Sequence, residues 1–283
     1  MKLCRFNENR LGLVEGQKVY DVSQALNSMP PTSWPHPIYD QMIAALAGVL
    51  ERAEEIKSKA QVHELASLKL NAPVANPSKI IGAPVNYFDH LEEALADKEI
   101  HHGNKIHKID TAGLFLKANS ALIGPSGRLQ VKHGERRVDH EAEIAVIIGT
   151  QAEQIKREDA FGYIAGYCLA LDMTVRGPED RSMRKSCDGF AVLGPYIVTP
   201  DEIADPNDIA FGLTVNGEER QNATTAMLIR SIPELIEMAS AFYTLLPGDV
   251  IMTGTPAGVG PVDPGDEIVL TSPDLGTLTI KTS

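Results

Sequence analysis

The stretch Val138–Gly149, VDHEAEIAVIIG, constrains the fold of this chain more than any other. Its β-branched and aliphatic residues, closed by a glycine, predict a buried strand. Side chains alternate between the two faces of a strand, so Asp139, Glu141 and Glu143 are expected on one face. Buried like charges repel one another unless a cation lies among them. A metal ion would supply that cation, whereas the alternative is a solvent-facing strand edge with acids in salt bridges.

Composition limits the class of protein. The chain has 283 residues, 43% of them hydrophobic, enough for one large core or a main domain with a small one. The net charge of -12 argues against general nucleic-acid binding, which needs a basic surface. No apolar run approaches the roughly 18 residues of a membrane span, and the N-terminus shows no secretory signal. Three cysteines without paired spacing are typical of reduced thiols. We therefore expect a soluble, cytoplasmic protein.

The chain is predicted to divide into a small N-terminal α/β domain, residues 1–72, and a main domain, residues 73–283. The first part holds short strand-like segments and a helix-like run from Asp40 to about Ala60. The segment NAPVANPSK, rich in turn-forming residues, marks the boundary.

Strands dominate the predicted main domain. Asn216-Gly217 predicts a β-hairpin corner. Ser231 and Glu234 stand at capping-box spacing before a helical apolar period. The chain is therefore predicted to be α+β and dominated by sheet.

Asp172 ends a second apolar strand-like run, in YCLALDMTVRG. Carboxylates from two strands make an all-oxygen site, which suits Mg²⁺ or Mn²⁺ and suits zinc poorly. This second acid favours the metal interpretation of the first strand.

His90 and Glu93, in NYFDHLEEAL, lie three residues apart and share a face if this segment is helical. A carboxylate beside an imidazole fixes its tautomer and raises its basicity, which is how a water is activated. The alternative is an exposed helix with a chance pair.

Two loops and a histidine-rich segment are further candidates. The glycine-rich loop Thr253–Gly260 can bring backbone N–H groups and Thr255 close to an anion, although it equally fits a tight turn. The charged run Arg176–Phe190 is typical of a solvated loop, with Lys185 as the cation that an enolate near a metal needs. The segment IHHGNKIH lacks a metal-binding spacing and is read as a flexible polar loop.

Taken together, these stretches resemble the fumarylacetoacetate hydrolase family. The resemblance runs in order from about Ile80 to the C-terminus, and it rests on NYFDHLEE, DHEAEIAVIIG, LDMTVRG, RKSCDGFAVLGPYIVT, VNGEERQNATT and LLPGDVIMTGTPAGVG. It implies a rolled, mixed β-sandwich, usually paired as a homodimer.

The resemblance also implies roles for single residues. Glu141, Glu143 and Asp172 would bind Mg²⁺ or Mn²⁺. His90 and Glu93 would form the water-activating dyad on a mobile lid, and Lys185 would stabilise an enolate. The residues implied in substrate binding are Tyr87, Arg176, Gly254 and Thr255.

The sequence departs from the family pattern at several positions. Leu171 replaces a usual asparagine, and Glu179 replaces a glutamine that would donate to a substrate carboxylate. Residues 97–112 look like extra length after the lid helix.

The function implied is a metal-dependent hydrolase that cleaves the C–C bond of an acylpyruvate, a small anionic keto acid. Maleylpyruvate or fumarylpyruvate, from aromatic degradation, is favoured, with the cationic residues of the extra segment meeting a distal carboxylate. Those residues are His101, His102, Lys105, His107 and Lys108. The alternatives are oxaloacetate decarboxylation, isomerisation of a 2-hydroxy-dienoate, or a non-catalytic metal-stabilised binding protein.

Overall fold

The structure is a computed structural model that describes residues 1–103 and 105–283. Its strands are β1 (Lys2–Phe6), β2 (Arg10–Glu15), β3 (Lys18–Asp21), β4 (Val62–Glu64), β5 (Leu70–Asn71), β6 (Ile80–Gly82), β7 (Phe115–Lys117), β8 (Leu122–Ile123), β9 (Val138–His140), β10 (Ala142–Ile148), β11 (Ile164–Asp172), β12 (Thr174–Val175), β13 (Ala191–Val198), β14 (Ala210–Val215), β15 (Glu218–Thr224), β16 (Val250–Met252), β17 (Gly260–Pro261), β18 (Glu267–Ser272) and β19 (Gly276–Lys281). Its α-helices are α1 (Gln41–Ala44), α2 (Leu46–Lys57), α3 (Phe88–Ala96), α4 (Lys98–His101), α5 (Ile109–Ala112), α6 (Arg181–Arg184) and α7 (Ile232–Phe242).

The described residues form three sheets, which confirm the predicted sheet-dominated class. The largest has the order β4-β3-β2-β1-β13-β11-β10-β16-β6-β7, with β5 on β1 and β8 on β13. The smaller sheets are β12-β9-β17 and β15-β14-β18-β19. Most pairs are antiparallel, but β16 runs parallel to β6 and β13 runs parallel to β8, so the large sheet is mixed.

Strand β10 is buried on both faces, which explains its unbroken aliphatic sequence. Ile144, Val146 and Ile148 belong to the largest core cluster. Ala145 and Ile147, on the other face, belong to a second core cluster. The strand is therefore fixed in register from both sides.

The predicted single strand Val138–Gly149 is wrong in one respect, because it is broken at Glu141. Strand β9 pairs with β12 and β17, whereas β10 pairs with β11 and β16. The segment paired with it also changes sheets at the same level, between β11 and β12. Asp172 N–H donates to Glu141 O at 2.9 Å across the break. The alternation of side chains along a strand does not predict such a bend. The bend brings the acids of this segment close to Asp172.

The N-terminal segment continues the large sheet. Strand β1 pairs with β13, placing Lys2 opposite Val198. The predicted helix after Asp40 is present as α1 and α2, and the Asp40 side chain caps α1 by accepting from Met42 and Ile43 N–H. The division at residue 72 stays a prediction.

Other local predictions are confirmed. Asn216-Gly217 joins β14 to β15, and Ser231 with Glu234 forms a capping box at the start of α7. The three cysteines are free thiols. Among the described residues, no helix is long and apolar enough to cross a membrane.

Candidate active site

Three carboxylates meet where β10 begins and β11 ends. Glu143 lies on β10, Asp172 closes β11, and Glu141 lies at the bend before β10. One ligand atom from each side chain lies within 4.8 Å of the others, and all three side chains are buried. The fold thus brings together the three acids that the sequence predicts as a cluster.

Two lysines lie among these carboxylates. Lys185 Nζ is 2.6 Å from Glu141 Oε2 and 2.8 Å from Asp172 Oδ2. Lys117, at the end of β7, forms an ion pair with the other oxygen of Asp172, and its side chain is fully buried. The sequence predicts Lys185 but not Lys117, because a three-residue strand carries no periodic signal. The two ammonium groups offset the repulsion among the acids.

The surroundings affect the acids unequally. Burial would raise the pKa of Glu141, but the charges of Lys185 and Arg176 outweigh it and hold that pKa well below its usual range. Burial and the neighbouring Asp172 carboxylate raise the pKa of Glu143 well above its usual range. A cation added beside Glu143 would therefore favour its ionised form.

This donor set fits a hard divalent cation. All three groups are carboxylates close enough to share one ion, and Glu143 Oε2 accepts from the backbone N–H of Gly254. Oxygen donors without cysteine or histidine match Mg²⁺ or Mn²⁺. Glu141, Glu143 and Asp172 would hold the ion.

Asp139, the remaining acid of the predicted strand, anchors two arginines. Its Oδ2 accepts from Arg176 Nε at 2.8 Å. Arg137 donates through Nε and Nη2 to its two oxygens, at 2.6 and 2.9 Å. Arg176 Nη2 also lies 3.0 Å from Glu141 Oε1. Arg176 therefore links Asp139 to the carboxylate cluster.

His90 and Glu93 lie on α3, as their spacing predicts. His90 Nδ1 is 2.9 Å from Glu93 Oε2, and the other oxygen of Glu93 accepts from Gly258 N–H at 2.9 Å. Because Glu93 is held at both oxygens, the imidazole ring has a fixed orientation and its Nε2 remains for other partners. His90 is buried and lines the same cavity as Glu141.

The loop after β16 supports the cluster from another side. Gly254 N–H donates to Glu143 Oε2 at 2.7 Å. Its φ is +103°, and a Cβ there would lie 2.7 Å from Asn86 Cβ and 3.1 Å from Ala83 O. Glycine is therefore required for this backbone to approach the carboxylate.

Gln221, on β15, is a site residue that sequence reasoning missed. Its Nε2 donates to Thr255 Oγ1 at 2.7 Å, and its Oε1 accepts from Ala142 N–H at 2.9 Å. It thus ties the loop to the start of β10. A polar side chain that is 1% exposed can be recognised only once the hairpin is packed.

Several sequence predictions need correction or stay open. Gly254 does not line the cavity; its N–H positions Glu143 instead of facing a substrate. Tyr87 is buried with its hydroxyl 3.4 Å from Thr224 O, and it does not line the cavity either. Substrate contacts by Tyr87 and Gly254 therefore have no support in this geometry, whereas Arg176 and Thr255 do line the cavity.

The segment after α3 contributes apolar rather than cationic groups. Ile100 and Ile106 line the cavity, and Ile100 packs in a small core cluster with Ala94 and Val259. None of His101, His102, Lys105, His107 and Lys108 lines the cavity, so the distal-carboxylate site expected from this segment's cations stays a prediction. Asn104 lies outside the described residues.

Glu179 also points elsewhere. Its carboxylate accepts from Arg136 Nη2 at 2.7 Å and Nη1 at 3.2 Å, and it does not line the cavity. Glu179 therefore does not occupy the substrate-facing position that the family pattern gives to a glutamine.

The residues named above as lining residues share one small cavity of about 60 Å³. Its polar lining comprises the three acids, His90, Lys185, Thr255 and three arginines, Arg176, Arg181 and Arg184. Its apolar lining includes Ile100, Ile106 and Phe115. The charged run Arg176–Phe190, expected as a solvated loop, thus supplies buried cations to a site.

A mixed-sheet fold with a carboxylate cluster and a histidine–glutamate pair on one cavity defines a class of protein with a small-molecule site whose acids could hold a metal ion. The family model of the fumarylacetoacetate (FAA) hydrolase C-terminal domain matches residues 79–282. The chain belongs to this family.

Three proteins similar to this chain are two relatives found by sequence and one found by structure. Maleylpyruvate hydrolase of Aquipseudomonas alcaligenes is 51% identical over 282 residues, covering 99% of this chain and 98% of the relative. Mitochondrial oxaloacetate tautomerase Fahd2a of Rattus norvegicus is 34% identical over 252 residues, covering 82% and 77%. The crystal structure of maleylpyruvate hydrolase from Sphingobium sp. SYK-6 with manganese(II) and pyruvate matches with TM-score 0.84 and 38% identity, covering 100% and 98%.

Proposed function

We propose that this protein is a metal-dependent hydrolase that cleaves the C–C bond of an acylpyruvate, releasing pyruvate and a carboxylic acid. The observation that carries the proposal is the His90–Glu93 pair, 2.9 Å apart, on the same cavity as the carboxylate cluster. The 51% identity to a maleylpyruvate hydrolase over nearly the whole chain supports it.

His90 acts as the general base. Glu93 accepts the Nδ1 proton, so Nε2 is the nitrogen that takes a proton from water. The water attacks the carbonyl carbon of the acyl group, and the bond between that carbon and the pyruvyl methylene breaks, so that its electron pair leaves as the enolate of pyruvate. The proton that His90 took from the water is returned to the methylene carbon, which gives pyruvate. Burial of His90 at 6% exposure limits competing bulk water.

Lys185 stabilises the enolate of pyruvate that leaves. Its ammonium lies between Glu141 and Asp172 at the wall of the cavity, where the negative charge develops. A bound Mg²⁺ or Mn²⁺ would supply Lewis-acid polarisation of the 2-oxo acid and a template for it. Arg176 and Thr255 provide donors for the substrate's oxygens from the same lining.

The substrate we favour is maleylpyruvate or fumarylpyruvate, in the degradation of aromatic compounds. Two relatives named maleylpyruvate hydrolase support this choice.

We also propose a cytoplasmic homodimer, as the family resemblance implies. Light scattering on the purified protein tests the dimer, and a monomer mass would overturn it.

The test separates hydrolysis from related chemistry. Purified protein with Mn²⁺ is given maleylpyruvate, fumarylpyruvate, acetylpyruvate, oxaloacetate and a 2-hydroxy-dienoate, and pyruvate, CO₂ and isomerised product are measured. We expect pyruvate from the acylpyruvates and its loss in His90→Ala, because only hydrolysis needs an attacking water.

Other outcomes would identify the alternatives. Conversion of oxaloacetate or the dienoate alone, retained in His90→Ala, would favour the decarboxylase or isomerase. Manganese binding with no turnover of any compound would indicate a binding protein. Such a protein needs no base, which is why the intact His90–Glu93 pair argues against it.

A further inference from the structure

Two arginines of the cavity lining have no acidic partner. Arg181 and Arg184 lie on the one-turn helix α6. In residues 1–103 and 105–283, no carboxylate oxygen lies within ion-pair distance of either guanidinium. The arginines around them are paired, since Arg136 binds Glu179 and Arg176 binds Asp139.

Arg184 is buried as well as unpaired. Its residue is 8% exposed, its Nε donates to Glu179 O at 2.8 Å, and its Nη1 is 3.5 Å from Val175 O. Two backbone carbonyls fix the direction of the guanidinium but do not neutralise it. Glu141 and Glu179 favour the charge of this guanidinium from a distance, but neither forms an ion pair with it. An anionic ligand in direct contact would offset the cost of burying it.

The remaining lining indicates what kind of ligand this is. The site for the pyruvyl half already has its own cations, Lys185 and Arg176, the second of which is engaged with Asp139 and Glu141. Ile100, Ile106 and Phe115 provide apolar walls suited to a short hydrocarbon chain. An extended ligand with an anion at each end and carbon between them matches this distribution.

We propose that Arg184, with Arg181 beside it, binds the second carboxylate at the far end of the acyl group, and thereby sets the preference for such an acyl group over one that ends in a methyl group. This inference rests on the proposed hydrolase function. A guanidinium whose Nε is held by a carbonyl presents its terminal N–H groups as a fork, the geometry that recognises a carboxylate. Arg184 thereby takes the role that the sequence assigned to the histidine- and lysine-bearing segment.

The test compares two substrates on the Mn²⁺-loaded full chain. One is maleylpyruvate, which has the second carboxylate, and the other is acetylpyruvate, which ends in a methyl group. For Arg184→Gln we expect the ratio of kcat/KM for maleylpyruvate to that for acetylpyruvate to fall roughly 100-fold, as loss of a charge-assisted pair predicts. Arg184→Lys keeps the charge without the fork and should give an intermediate ratio. Arg181→Gln should lower the ratio less.

Controls guard against a folding defect. Arg184→Gln removes donors to the carbonyls of Glu179 and Val175, so each variant's melting temperature and its inhibition by oxalate, a probe of the pyruvyl half alone, are measured. Lys105→Gln, outside the cavity lining, should keep the wild-type ratio.

Failures of the two proposals are distinguishable. If the wild-type protein releases pyruvate from neither substrate, the hydrolase function is wrong and this inference falls with it. A second outcome is that wild type cleaves both substrates while Arg184→Gln leaves the ratio of their kcat/KM values unchanged or lowers both values equally. In that case Arg184 does not bind the second carboxylate. A ratio that falls in Lys105→Gln instead would also overturn the inference.

Discussion

Arg137 and Asp139 form a two-armed ion pair, with Nε to Oδ1 at 2.6 Å and Nη2 to Oδ2 at 2.9 Å. The remaining nitrogen of Arg137, Nη1, lies 3.2 Å from Asp97 Oδ2 and 3.0 Å from Glu99 Oε2. One arginine thus joins the strand beside the carboxylate cluster to the segment that follows the helix of His90 and Glu93.

Loss of this link should loosen the cover of the site. In Arg137→Gln, we expect faster amide hydrogen exchange in residues 88–101 and a kcat/KM for the acylpyruvate lower by roughly tenfold, because His90 is held less well. The control Arg157→Gln removes ion pairs with Glu234 and Glu237 on an exposed surface. Equal exchange in wild type and Arg137→Gln would contradict the link.

The acids of the segment Val138–Gly149 should differ in their effect on metal binding. Glu143→Gln should weaken Mn²⁺ binding by roughly 100-fold or more, since ligand loss exceeds the effect of changes around a ligand. Asp139→Asn is the matched control, because the Asp139 carboxylate accepts hydrogen bonds from Arg137 and Arg176 and is not one of the three clustered acids. Titration calorimetry measures both. Equal Mn²⁺ affinities in the two variants would show that Glu143 is not a ligand.

Gly254→Ala should destabilise the fold by roughly 2–4 kcal/mol, because it combines a positive φ with a close contact. The clash is with Asn86 Cβ, 2.7 Å away. Gly48→Ala is the opposite control: this helical glycine has nothing within 4 Å of its added Cβ, so the change should stabilise by about 0.5–1 kcal/mol. Urea denaturation of the two variants checks the difference in sign.

Glu234 should make stability depend on pH at the acid end. Burial would raise its pKa, but hydrogen bonds from Ser231 and the contact with Arg230 lower it below the usual value. A lowered pKa means that the ionised form stabilises the native state above the unfolded value of about 4.3, and that this stability is lost as pH falls through the native pKa.

The variant Glu234→Gln should therefore be less stable than wild type by about 1 kcal/mol at pH 7. The two melting temperatures should converge below about pH 4. Glu8→Gln, at an exposed turn, should match wild type throughout. A gap that persists unchanged at low pH would contradict an ionised capping box.

Much of this fold could be predicted from the sequence because its periodic patterns are strong. The aliphatic run of β10, the capping box of α7 and the spacing of His90 and Glu93 are local patterns, and the structure contains each of them. The family motifs placed the acids of the cluster, and the bend at Glu141 brings them together.

The parts that could not be predicted depend on contacts between distant segments. The break at Glu141 follows from a change of sheet partners that alternation does not encode. Lys117 contacts Asp172 from a strand that is too short to show a periodic pattern in the sequence. The role of Gln221 depends on its burial between a loop and a strand, which the sequence does not show. Arg184 lies in a charged run that resembles a solvated loop, yet it is buried.

The central claim is that metal held by Glu141, Glu143 and Asp172 is needed for cleavage of an acylpyruvate. The most direct measurement is pyruvate release from maleylpyruvate by chelator-treated protein, before and after Mn²⁺ is added back. We predict that pyruvate release is lost on chelation and restored in proportion to the bound Mn²⁺, with Glu143→Gln inactive under both conditions. Full pyruvate release from metal-free protein would contradict the claim.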